Sequence, residues 1–211
     1  MLDSLMTRRR FVAATSLSFF APATLADILR GPSPARHGQR AREAWLGATS
    51  LDGVRLGPGG GDIQAVFFVD LNCPACVQLW QWFDLPEHKD WTTLWVPVAY
   101  LHSTSTNKAI TLLRASDPPE ALSQNFGEAF DRQSRSGGLA PVSDPTPGEL
   151  SSIRANTHFW RTSLFEATPI TLYRRRDGTY WQILGQLPEP QMSQAFVELA
   201  PASLPMFEAP R

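Results

Sequence analysis

Hydrophobic positions along this chain follow two periods, and the change from one to the other marks the elements. Ala65-Val66-Phe67-Phe68-Val69 is apolar at every position, so Gln64–Asp70 is expected to be a central strand covered on both faces. Immediately afterwards Cys76, Leu79, Trp80 and Phe83 recur at i, i+3, i+4 and i+7. That spacing predicts a helix from Pro74 to about Leu85, with proline tolerated in its first turn. Thr92–Val98, rich in β-branched and aromatic residues, predicts the next strand. Helical patterning then places helices near Thr106–Ala115, Pro119–Ser134 and Thr146–Leu164. Gly137-Gly138 and the stretch from Pro141 to Pro147 separate them. Ile170–Tyr173 and Tyr180–Leu184 flank Asp177-Gly178, a hairpin signal. Met192, Ala195, Phe196 and Leu199 mark a final amphipathic helix begun near Pro190. A crossover helix makes the first strand pair parallel, and a hairpin makes the last pair antiparallel. The expected fold class is α/β, a central mixed sheet with a helical insertion at about 105–165 between its βαβ and ββα halves.

The pattern is different ahead of Asp62. Residues 1–26 carry Thr7-Arg8-Arg9-Arg10-Phe11-Val12, similar to a twin-arginine export motif, then a mildly apolar stretch from Phe11 to about Phe20. Thr24-Leu25-Ala26 supplies a small-residue cleavage site before Asp27. The apolar stretch is well short of the ~20 residues that span a bilayer, so an exported, periplasmic mature chain is expected. Losing Arg8, Arg9, Arg10 and Asp3 takes the formal net charge from −1 to −3. A mildly acidic chain offers nothing to a polyanion, so no nucleic-acid partner is expected. Residues 27–62 read as an arm or linker. Gly31-Pro32-Ser33-Pro34 excludes helix, Ala35 to Ala48 allows a short one, Leu51 to Leu56 is extended, and Gly57-Pro58-Gly59-Gly60-Gly61 is a hinge. The folded domain is expected to be 63–211.

Only two cysteines occur, Cys73 and Cys76, and their C-x-x-C spacing falls where the buried strand hands over to a helix start. At that position backbone N–H groups and the helix dipole favour a thiolate. Cys73, nearest the free N–H groups, is the expected nucleophile. Cys76, one turn further in on the buried stripe, would resolve a mixed disulfide. A structural disulfide, a zinc site and a copper site built from both sulfurs and a histidine are the competing readings, copper handling being the alternative function. No cofactor and no resident metal are expected. Pro169 stands at the start of a strand, where proline is tolerated, and is a candidate cis peptide. A cis bond there would leave the backbone of Thr168 free to pair with a peptide. His37, His88, His102 and His158 are isolated in sequence, with surface or packing roles as their default. Trp80, Trp95 and Trp160 fit core positions, and Arg174-Arg175-Arg176 reads as a solvated edge.

A mixed sheet with C-x-x-C opening its first helix is the thioredoxin arrangement. From Gln64 to Leu199 the chain resembles the periplasmic thiol:disulfide interchange proteins of the DsbC/DsbG type. The resemblance rests on Phe68-Val69-Asp70-Leu71-Asn72-Cys73-Pro74-Ala75-Cys76, on Trp95 to Leu101 followed by Ala109 to Leu113, on Ala167-Thr168-Pro169, and on Gly185-Gln186-Leu187-Pro188. It implies that Cys73 attacks substrate disulfides, that Cys76 resolves, and that Thr168 and Pro169 line a peptide groove. Asp70, Pro74 and Ala75 would tune the thiolate, with Ala75 standing where the family usually has an aromatic residue. The implied partners are exported protein substrates and a membrane redox partner that recycles the dithiol. The family's N-terminal dimerisation domain has no counterpart in 27–62, so reduction or proofreading is expected ahead of isomerisation in a dimer cleft.

Overall fold

The computed structural model describes residues 35–58, 61–163, 165–197 and 199. The export segment 1–26, residues 27–34 and Gly59-Gly60 of the hinge lie outside the described residues.

Six strands form one sheet: β1 (Ala35–His37), β2 (Val54–Leu56), β3 (Ala65–Val69), β4 (Thr93–Pro97), β5 (Ile170–Arg174) and β6 (Tyr180–Leu184). Their order is β1-β6-β5-β3-β4-β2. β3 runs parallel to β4, with Phe67 beside Trp95, and antiparallel to β5, with Phe67 beside Thr171. Helices are α1 (Gln39–Ala48), α2 (Pro74–Phe83), α3 (Ser105–Arg114), α4 (Pro118–Phe126), α5 (Pro147–Thr162) and α6 (Glu189–Val197).

The two-residue period of β3 sorts its side chains onto two cores. Phe67 and Val69 join Trp95, Tyr173 and Ile183 beneath α2, α4 and α6. Val66 and Phe68 join Leu94, Val96, Ile170 and Leu172 beneath α1 and Trp160 of α5. All five residues of β3 are buried, as the unbroken apolar run requires.

Residues 35–56, expected as an arm, are instead part of the domain. β1 pairs with β6 and β2 with β4, so this segment supplies both outer strands of the sheet. Between them α1 lays Ala44, Trp45 and Ala48 against the second core. Val54-Arg55-Leu56, within the stretch expected to be extended, alternates. Three residues are too few to tell a sheet strand from an extended arm, and the pairing partners lie far along the chain.

The inserted helices also differ in extent. α4 stops at Phe126, with Gly127 as its C-cap, rather than reaching Ser134. Asp131 then accepts hydrogen bonds from the backbone N–H groups of Gln133 and Ser134 and from the Ser134 hydroxyl. Those local bonds offer the backbone an alternative to helix. α5 begins with a full capping box between Thr146 and Glu149. The arginine run is a solvated edge only at Arg176, which is exposed. Arg174 is buried in the interior strand β5, and the Arg175 guanidinium lies 3.8 Å from the Trp181 ring centre. Trp80, Trp95 and Trp160 are buried, as is His88 between Trp82 and Trp91, whereas His102 and His158 are exposed.

Candidate active site

Because β3 and β4 are parallel and β5 is antiparallel to β3, three segments meet at one edge of the sheet. They are the loop after β3, the loop after β4 and the approach to β5. Carboxyl ends of parallel strands are where open α/β sheets place their sites.

Cys73 is the N-cap of α2, with φ −90° and ψ 117°, and Pro74 occupies the first turn. The Cys73 N–H donates to the Asp70 carbonyl at 2.9 Å, and the Cys76 N–H donates to the Cys73 carbonyl at 3.1 Å. Both cysteines are free and buried, Cys73 at 4% exposure and Cys76 at 0%. Ala75 packs half-buried against the first core. The Thr168-Pro169 peptide is cis. Although 95 residues separate them, the Cys73 thiol donates to the Thr168 carbonyl at 3.2 Å.

The two thiols are driven apart electrostatically. A hydrogen bond from the Cys76 thiol is the main influence bringing Cys73 down to about 7, against the opposing effect of burial. The Thr168 side chain and the backbone at Cys76 and Ala75 add to it. Burial pushes Cys76 well above the ordinary thiol range. The helix N–H groups, expected to be the principal cause, thus rank behind the second sulfur. Chemically, this is one sulfur ionised near neutral pH and another held as a protonated donor behind it.

Asp70 does not cap α2. Its fully buried carboxylate accepts from Asn72 N at 2.9 Å and Ser105 Oγ at 2.8 Å through one oxygen. The other oxygen takes Tyr100 N at 2.9 Å and Leu101 N at 3.0 Å. Asp70 therefore ties the loop carrying Cys73 to the loop after β4. The insertion continues the frame. Asn72 donates to Ser105 Oγ at 2.9 Å, Gly137 N donates to Asn72 Oδ1 at 3.2 Å, and Asn125 Nδ2 donates to the Leu71 carbonyl at 2.9 Å. Lys108, buried beside this network, donates to Ser136 Oγ and the Gly137 carbonyl, and burial lowers its pKa against the attraction of Asp70.

Tyr100, within the Trp95–Leu101 stretch, joins the site through its side chain. Its hydroxyl accepts from Thr168 N at 3.0 Å and lies 3.1 Å from Thr168 Oγ1. Its ring stacks on Trp160 at 4.4 Å, and Trp160 Nε1 donates to the Ala167 carbonyl at 3.2 Å. The Thr168 backbone is therefore already engaged, N–H by Tyr100 and carbonyl by Cys73, rather than free as expected. One signal was present in the sequence: Tyr100 follows β4 closely, at the sheet edge that holds the cysteines.

Among the described residues no group of three or more His, Cys, Asp or Glu side chains is placed to hold a metal. The copper site of the competing reading, two sulfurs and a nearby histidine, is not assembled among them. No helix of the described residues is long and apolar enough to cross a membrane.

No protein-family model matches the chain, and no curated protein matches it in sequence. Solved structures do match. A periplasmic thioredoxin-like protein from Salmonella enterica serovar Typhimurium is 19% identical, with a TM-score of 0.55 over 77% of this chain and 97% of that one. The catalytic domain of Proteus mirabilis ScsC is 16% identical, with a TM-score of 0.52 over 74% and 97%. The thiol-disulfide exchange protein alpha-DsbA2 from Wolbachia pipientis is 13% identical, with a TM-score of 0.53 over 75% and 93%. The chain shares with them a thioredoxin-like fold.

Proposed function

We propose that the chain is an exported protein thiol-disulfide oxidoreductase, acting in the periplasm on disulfides or oxidised thiols of exported proteins. The observation that carries this reading is the division of labour between the sulfurs: Cys73 brought down to about 7 against the Thr168-Pro169 loop, and Cys76 protonated behind it. Likeness in fold to proteins described as periplasmic thioredoxin-like and thiol-disulfide exchange proteins supports it.

The Cys73 thiolate attacks one sulfur of a substrate disulfide. A Cys73–substrate bond forms, the substrate S–S bond breaks, and the departing sulfur leaves as a thiolate that takes up a proton. The Cys76 thiol then gives up its proton and attacks Cys73, releasing the second substrate thiol. Two electrons have passed to the substrate, and Cys73 and Cys76 are joined as a disulfide. A membrane-held dithiol donor returns those electrons. Thr168 and Pro169 line the peptide side of the site, and Pro74 and Ala75 shape the turn that sets the thiolate. Asp70 bears on it by holding that turn in place.

Insulin reduction with an excess of small dithiol tests the mechanism. Wild type is expected to accelerate it, and Cys73→Ala to return the rate to background. Equal rates for the two proteins would refute the role of Cys73. In cells, Cys76→Ala is expected to accumulate mixed disulfides with exported proteins, and mass spectrometry of the captured species identifies the clients. Reduction by a reductase carries electrons toward those clients, so the wild-type Cys73-Cys76 pair should be found mainly reduced.

A further inference from the structure

Tyr100 stands where it can act on the reactive sulfur without touching it. Its hydroxyl oxygen accepts the Thr168 N–H, a group that can only donate. The phenol has one proton of its own to place, and Thr168 Oγ1 lies 3.1 Å away, in a contact where either hydroxyl could donate. Burial raises the pKa of Tyr100, so it keeps that proton throughout the range in which Cys73 titrates. Once Thr168 Oγ1 accepts from Tyr100, the hydroxyl proton of Thr168 is directed elsewhere. Cys73 is the less buried of the two ionisable neighbours, its sulfur 3.2 Å from the carbonyl of the same residue. The Thr168 side chain is among the influences that hold Cys73 down. Tyr100 is itself fixed from three directions: its N–H is bound to Asp70, its ring is stacked on Trp160, and its hydroxyl is bound twice to Thr168.

We propose that Tyr100 is a positioning residue for Cys73: by donating to Thr168 Oγ1 it turns the Thr168 hydroxyl proton toward the sulfur and so favours the thiolate. The inference deepens the reading of Cys73 as nucleophile and rests on it. When Cys73 is protonated, its S–H donates to the Thr168 carbonyl. When it ionises, that bond is lost and the Thr168 hydroxyl donates to the sulfur, with Tyr100 donating in turn to the hydroxyl oxygen. No proton leaves Tyr100 or Thr168 at any stage.

The test is the pH profile of Cys73 alkylation by iodoacetamide in the reduced full-length protein, followed by mass spectrometry. Tyr100→Phe retains the ring that stacks on Trp160 and removes only the hydroxyl. It is expected to move the midpoint upward by about one pH unit, the effect of losing one hydrogen bond to a charged group. Thr168→Val removes the intermediate hydroxyl and is expected to move it upward as well. The double variant is expected to move it no further than the larger single change, because both act along one chain. Thr168→Ser, which keeps the hydroxyl, is expected to retain the wild-type midpoint and serves as the control if Tyr100→Phe folds poorly. An unmoved midpoint in folded Tyr100→Phe, additive shifts in the double variant, or a Thr168→Ser midpoint as high as that of Thr168→Val would each overturn the proposal. The reagent is a small molecule, so the result stands apart from whether protein disulfides are reduced. Failure here with insulin reduction intact would remove Tyr100 and leave the nucleophile.

Discussion

At the scale of single residues, the site works by contrast between two identical side chains. Cys73 gains hydrogen bonds from the Cys76 thiol, the Thr168 side chain and the backbone, whereas burial dominates at Cys76. That is enough to bring one to about 7 and push the other up. Alkylation of the reduced native protein should therefore modify Cys73 with a half-maximal rate near pH 7 and leave Cys76 unmodified until the protein unfolds. Peptide mapping after timed quenching checks this. Stability is linked to the same ionisation. The folded-state pKa of Cys73 is depressed, so between about 7 and the ordinary thiol range of ~8.5 the unfolded chain holds a proton that the folded chain has released. This contribution is fully present above ~8.5 and is lost as pH falls through about 7. Urea midpoints of the reduced protein should accordingly rise with pH across that window, and Cys73→Ala should remove the rise.

Among elements, the insertion between β4 and β5 acts as a brace for the Asp70–Cys73 turn. Gly137 shows how closely it fits. A Cβ there would stand 2.1 Å from Asn125 Oδ1 and 2.2 Å from the Leu71 carbonyl, both already hydrogen-bonded. Gly137→Ala is expected to cost about 1–3 kcal/mol by overpacking, read as a lower thermal midpoint. Asp70→Ala strips the acceptor from three backbone N–H groups and the Ser105 hydroxyl. Each buried donor left unpaired costs about 1–3 kcal/mol, so this variant should be the more damaging of the two in the same melt. The strand β3, the start of α2 and the β5–β6 hairpin were legible because each depends on neighbours within a few residues: an unbroken apolar run, a C-P-x-C turn, and Asp-Gly between two strands. The brace was not legible. Asn72, Ser105, Lys108 and Asn125 are unremarkable polar residues until folding sets them against one another. Likewise Tyr100 meets Thr168 across 68 positions of sequence.

For the whole molecule, the segment 35–56 decides whether the sheet is finished. Without it, one face of β3, β4 and β5 would lose the cover of Ala44, Trp45 and Ala48, and both outer strands would be missing. Trp45→Ala alone should cost about 3–5 kcal/mol, a large share of the ~5–15 kcal/mol that typically separates native from unfolded. A chain beginning at Asp62 should therefore lose its cooperative thermal transition and bind hydrophobic dyes. If it melted like the full-length protein, the account of the second core would be wrong. The same segment imposes an order in time. Ala35 finds its partner in Ile183, on a strand that follows it by most of the domain. β1 must therefore wait, unpaired, until β6 has followed it from the ribosome. Closure of the sheet is set by the arrival of the β5–β6 hairpin.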